Sequence, residues 1–212
     1  MPETLNAALE ARGVLGIDVL WFVREAEDDS GPDATITASE APTAAEPLAA
    51  PFLPPEQWPP LAVATTTTHD LPTIAGWWAG NDIAWRARLH QLAIGETEAA
   101  LMTVRAVERQ ALWQAMRDAG AVHGAEPPPD RAPVEAVLRW LHRASTPLRL
   151  VPVEDLLALA EQPNLPGTVS DHPNWQRRLD ADVRELFARP EVARRVAAVR
   201  DGDGDGDGGG DA

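Results

Sequence analysis

Three short runs of mostly apolar, β-forming residues set the frame for this chain: residues 17–23, 61–67 and 148–153. None is longer than a single strand. The first suits a strand covered on both faces, as in a parallel sheet. A helix is expected before it, over residues 2–12, with Pro2 suited to the first turn and Gly13 to a C-terminal cap. After the second run a helix begins near Ile74, carrying Trp77, Trp78, Trp85, Leu89 and Leu92 at helical spacing. Another covers residues 97–119, with Leu101, Val104, Leu112 and Met116 on one stripe. Pro133 opens a further helix, and residues 183–200 form the last, with a break at Pro190. This order predicts an α/β fold resembling the last turns of a (β/α) barrel.

Composition narrows the partners. An apolar content of 44 % and eight tryptophans mark a folded protein. The formal charge of −15 disfavours nucleic acid and anionic membrane surfaces alike, and is compatible with a neutral substrate such as a sugar. The absence of Cys removes disulfides, a catalytic thiol and thiolate-bound zinc. No stretch approaches the roughly 18 apolar residues of a membrane helix, and Met1-Pro2-Glu3-Thr4 is not a signal peptide, so a cytoplasmic location is expected. The Pro-rich connection over residues 26–60 forbids regular structure, although Phe52 and Trp58 at its end are expected to pack. The last twelve residues, 201–212, alternate Asp and Gly and are expected to form a disordered tail.

In (β/α) barrels the reacting groups stand at the C-terminal ends of strands. That rule singles out His69 and Asp70 after the second run, Glu25 after the first, and Glu154 and Asp155 after the third. A plainer reading stands beside each. Asp70 could cap the helix that begins near Thr73, and Glu154 and Asp155 suit the start of a short helix. The Trp77-Trp78 pair is most simply core. No two histidines lie at i, i+4, so no metal site is expected.

The string Thr67-Thr68-His69-Asp70-Leu71-Pro72-Thr73-Ile74-Ala75-Gly76-Trp77-Trp78 resembles the THDLPT-x-x-GWW segment of amylomaltases, which are 4-alpha-glucanotransferases. A second resemblance runs through Glu154-Asp155-Leu156-Leu157, Gln162, Asn164-Leu165-Pro166-Gly167-Thr168 and His172-Pro173-Asn174-Trp175 to Arg177-Arg178. The opening, with Ala11-Arg12-Gly13-Val14 and Val19-Leu20-Trp21-Phe22, is similar to the helix and strand after the family's acid/base motif. The resemblance implies a retaining α-1,4-glucan transferase with a TIM-like (β/α)8 barrel and no cofactor. Residues 1–200 would supply the C-terminal part of that barrel, about three of its strands, incomplete on their own. It implies that Asp70 is the family's third carboxylate, which stabilises the transition state. His69 would donate to the same sugar, and Asn164, Pro166 and Gly167 would lie on a rim loop near substrate. The family's nucleophilic Asp and its acid/base Glu both fall upstream of the segment matching Met1. The implied partners are maltodextrins or amylose and the missing N-terminal part of the enzyme, and the chain alone is expected to be inactive. The alternatives are a non-catalytic glucan-binding or partner-binding remnant, or one half of a split enzyme.

Overall fold

The computed structural model describes residues 8–9, 11–25 and 50–201. The helix expected over residues 2–12, most of the connection at 26–60 and nearly all of the Asp/Gly tail therefore lie outside the described residues. Only the end of that helix is seen: the Arg12 and Val14 amides both donate to the Leu9 carbonyl, and Gly13 takes φ 65°. A left-handed residue there is the expected way to close a helix.

Three parallel strands, β1 (Gly16–Val19), β2 (Ala62–Thr65) and β3 (Leu148–Leu150), make one sheet in the order β1-β2-β3. Val19 pairs with Thr65, and Thr65 with Leu150. All three strands are shorter than the apolar runs that contain them. The first run turns into a 3-10 segment at Leu20–Phe22, which carries Leu20 and Trp21 into the core. The third stops before Pro152, which has no amide to donate and instead caps the short helix that follows.

Seven helices follow or separate the strands among the described residues: α1 (Ile74–Ala79), α2 (Asn81–Arg88), α3 (Glu98–Asp118), α4 (Val134–His142), α5 (Val153–Leu156), α6 (Val183–Leu186) and α7 (Pro190–Asp201). The single helix expected from Ile74 onward is split at Gly80, whose φ of 80° ends α1 and starts α2. A side chain at Gly80 would also run into the Met102 sulfur of α3. The last helical stretch breaks at Pro190, as its sequence implied. None of the helices among the described residues is long and apolar enough to cross a membrane.

The helices cover one face of the sheet. Trp78, Leu138, Trp140, Leu141 and Met116 are fully buried there, with Ala64 of β2 beneath them. Phe52 and Trp58 join the same core, as expected for the end of the Pro-rich connection. Trp21 and Trp77 stack with ring centres 4.5 Å apart, locking the turn after β1 onto α1.

Among the described residues the opposite face is only partly covered, Val19 and Thr65 being buried at its C-terminal end, so the expectation of a first strand covered on both sides holds for Val19 and not for Ile17. Ile17, Val63 and Leu148 are register partners and share that face; Ile17 is 70 % exposed and Leu148 51 %. Leu150, farther along β3, is 59 % exposed.

Helix α3 departs from the expected stripe. Leu112 and Met116 are buried, but Val104 is exposed and Arg105 and Arg109 take the inward positions. The reason lies at the end of α1. Arg105 Nη1 donates to the Trp77 carbonyl at 2.6 Å and Arg109 Nη1 to the Trp78 carbonyl at 3.0 Å. These carbonyls belong to the last turn of α1, where helical partners run out, and the Trp77 carbonyl also accepts from the Gly80 amide of the cap at 3.2 Å. Arg105 also grips Asp82 with two parallel bonds of 2.8 Å.

Gly76 sits inside α1 for a packing reason. A Cβ there would collide with the backbone carbonyl oxygen of Ala160, which cannot rotate away. In an open helix, Gly→Ala gains up to about 1 kcal/mol. Here Gly76→Ala is expected to lose about 1–3 kcal/mol by overpacking. Urea unfolding of the two proteins measures the sign directly.

Candidate functional site

The end of β2 runs into four consecutive threonines, Thr65 to Thr68. Three of them hold the turn that follows. Thr65 Oγ1 donates to the Thr67 carbonyl and Thr67 Oγ1 to the Pro72 carbonyl, both at 2.8 Å. Thr66 Oγ1 donates to Asp155 Oδ2 at 2.5 Å. Hydroxyls of this kind supply hydrogen bonds that an irregular turn cannot make with its own backbone.

This turn lifts His69 and Asp70 into solvent, with side chains 58 % and 46 % exposed. His69 Nε2 lies 3.3 Å from Asp70 Oδ2. The other carboxylate oxygen, Oδ1, accepts from Asn164 Nδ2 at 2.6 Å. The Asn164 amide donates to the His69 carbonyl, and Gln162 Nε2 donates to the carbonyls of Asp70 and Asn164. Two segments distant in sequence are thus knitted together around one carboxylate. Asp70 keeps lone pairs free, so it can accept hydroxyl donors while Asn164 fixes its orientation.

Beside this group lies an open cleft of about 370 Å³, lined by Thr68, His69, Glu154, Glu161, Trp175 and Arg178 among others. Glu161 is held on its wall by Trp85 Nε1 at 2.8 Å and by Arg177 at 2.9 Å. Among the described residues no group of three or more His, Asp or Glu side chains is placed to hold a metal ion.

Behind the cleft, Asp155 is completely buried. Its Oδ2 accepts from Thr66 and its Oδ1 accepts from the Ile74 amide at 2.7 Å. Burial pushes its carboxyl up to about 6, and the bonds from Thr66 and Ile74 pull the other way without offsetting it. Asp155 therefore caps the N-terminus of α1 from another segment, while Thr73 caps it locally by accepting from the Gly76 amide. Asp70 has no part in capping that helix.

A family model described as 4-alpha-glucanotransferase matches residues 1–183. This chain belongs to the 4-alpha-glucanotransferase family. It is 35 % identical over 196 residues to the 4-alpha-glucanotransferases of Mycobacterium bovis and Mycobacterium tuberculosis, covering 89 % of this chain and 24 % of each relative. The chain thus spans about a quarter of the length of those relatives. The amylomaltase of Corynebacterium glutamicum has a similar fold, with a TM-score of 0.72 at 24 % identity, over 94 % of this chain and 27 % of that one.

In this member of the 4-alpha-glucanotransferase family, the residues singled out in sequence have separate fates. His69, Asp70 and Asn164 come together. Pro166 and Gly167 form the exposed turn of the same loop, with the Gly167 carbonyl accepting from Gln91 instead. Glu154 lines the cleft, whereas Asp155, one residue on, faces inward. Glu25 pairs through its amide with the Pro51 carbonyl and is not among the cleft-lining residues. Trp77 and Trp78 are core. Glu161 and Arg178 were not legible as cleft residues, because only the fold of the polar loop brings them to the cleft that His69 also lines.

The titration of Asp155 has a defined sign. Its carboxyl is raised in the fold from an ordinary value of 3.8 to about 6, so the folded protein binds the proton more tightly than the unfolded chain. Its stabilising contribution is full below about 3.8 and is lost as pH rises through about 6. Wild-type stability relative to Asp155→Asn is therefore expected to decline between those pH values and to level off above. Guanidinium unfolding of both proteins across that range checks this; parallel curves would show that Asp155 is charged in the fold.

Proposed function

We propose that these residues form part of the sugar-holding wall of a retaining 4-α-glucanotransferase and do not turn over substrate by themselves. The observation that carries this reading is the junction of the segments 67–80 and 154–178, where His69, Asp70 and Asn164 share hydrogen bonds at the end of β2. Asp70 would accept hydrogen bonds from ring hydroxyls of the sugar at the point of cleavage, and His69 would donate to the same ring.

Retaining transfer uses one carboxylate as nucleophile and another as acid/base, about 5–5.5 Å apart. The nucleophile displaces the leaving glucan at C1 while the acid protonates the departing oxygen. The acceptor's 4-hydroxyl then takes the glycosyl group as the same residue removes its proton. As the ring flattens toward an oxocarbenium ion, its hydroxyls become better donors, and a charged acceptor gains most from that change. Asp70 suits this supporting task, with Asn164 orienting it. The nucleophile and the acid/base would come from the upstream part of the enzyme.

The partly uncovered sheet face favours the same arrangement. Among the described residues β1 and β3 are both edge strands, and they carry the exposed Ile17, Leu148 and Leu150. Further strands of a (β/α)8 barrel would pair those edges and bury that face. The exposed, folded His69-Asp70-Asn164 group also supports a second reading, in which the segment binds glucan without turnover or serves as one half of a split enzyme.

Incubation of the purified chain with maltotriose is expected to leave the sugar unchanged. Release of glucose together with longer maltodextrins at the rate of a complete transferase would overturn the proposal. In a longer chain that carries the other two carboxylates, Asp70→Asn is expected to lower kcat by about 10²–10³-fold, the scale of a lost transition-state hydrogen bond.

A further inference from the structure

Of the eight tryptophans, six are buried and Trp85 is half-buried, but Trp175 is 66 % exposed. Its position is also strained, with φ at 58°, a region that bulky side chains avoid. An exposed indole on a strained backbone is unfavourable twice over, and such strain concentrates at binding sites.

The loop holds Trp175 there by several independent bonds. Asn174 Oδ1 accepts from the Leu165 amide at 2.9 Å and lies 2.6 Å from His172 Nδ1, while its Nδ2 donates to the Thr168 hydroxyl at 2.7 Å. His172, fully buried, packs edge-on against Trp85. The Trp175 amide donates to the Pro163 carbonyl at 3.0 Å. A rigid, inward-bonded residue thus precedes an outward-turned one. Trp175 stands at the cleft with its ring centre 5.2 Å from that of His69, next to the Asp70 carboxylate.

We propose that Trp175 is a stacking platform for a glucose ring of the bound α-glucan, an inference that rests on the glucan reading of this site. A pyranose presents C–H groups on its faces and hydroxyls around its edge. An indole beside a carboxylate and an imidazole matches both: the ring face lies on Trp175 while edge hydroxyls reach His69 and Asp70. Trp175 lines the cleft, whereas the exposed strand residues Ile17, Leu148 and Leu150 do not.

The test uses the 212-residue chain labelled with 5-fluorotryptophan and titrated with maltoheptaose at millimolar concentrations. The Trp175 fluorine resonance, assigned by its loss in Trp175→Phe, is expected to move on titration while those of the buried tryptophans stay in place. Trp175→Ala should weaken binding about tenfold, whereas Trp175→Phe, which keeps a ring, retains most of it. Because Trp175 is exposed, neither change removes core packing, and unchanged thermal melts verify this. Binding with an unmoved Trp175 resonance and unaltered affinity in Trp175→Ala would overturn this inference and leave the glucan reading standing. A folded wild-type chain that binds no maltoheptaose would overturn both.

Discussion

The buried carboxylate of Asp155 joins three parts of the chain that meet only in the folded protein. It accepts a hydroxyl from the end of β2 at Thr66 and an amide from the start of α1 at Ile74, and it sits itself on α5, just after β3. Strand ends in a parallel sheet carry polar backbone that must be satisfied out of reach of water. The Asp155 carboxylate answers one hydroxyl and one helix-start amide at once, at the cost of its own desolvation. The His69-Asp70 turn is suspended between those two anchor points. Its exposure and its aim follow from them, as does the freedom of Asp70 from any capping duty.

A second set of interactions braces the same turn from the far end of α1. Arg105 and Arg109 of α3 reach the last carbonyls of α1, and Arg105 is itself clamped by Asp82. Gly76 lets the Ala160 carbonyl press against the helix between these two ends. Helix α1 is short, and six residues would not hold together in isolation. It is helical because each end is bonded from elsewhere in the chain and Trp77 is packed on Trp21 and Phe52. The candidate site thus stands on a short rigid post, while His69 and Asp70 remain at the surface.

Much of this was legible in the sequence. The strands, the position of His69 and Asp70 after one of them, and the break at Pro190 follow from apolar run length and from the chemistry of proline. The family followed from two collinear motifs. Other features were not legible. Glu154 and Asp155 are adjacent acids after the same strand, and sequence offers no way to tell that one lines a cleft while the other is buried. The inward arginines of α3 likewise look like a solvated face, because their partners are carbonyl groups that leave no mark in sequence.

The sequence by itself determined the kind of elements, their order and the family, since these depend on local periodicity, turn residues and contiguous motifs. Only the tertiary structure decided which polar groups work together. Asn164 reaches Asp70 across 94 positions of sequence, and Trp175 is turned out beside His69 by bonds within its own loop. Such pairings arise from loop closure and burial, which are properties of distance in space. The exposed side of the edge strands is the clearest instance: the runs at 17–23 and 148–153 announced strands, but only the packed helices showed that Ile17, Leu148 and Leu150 remain exposed.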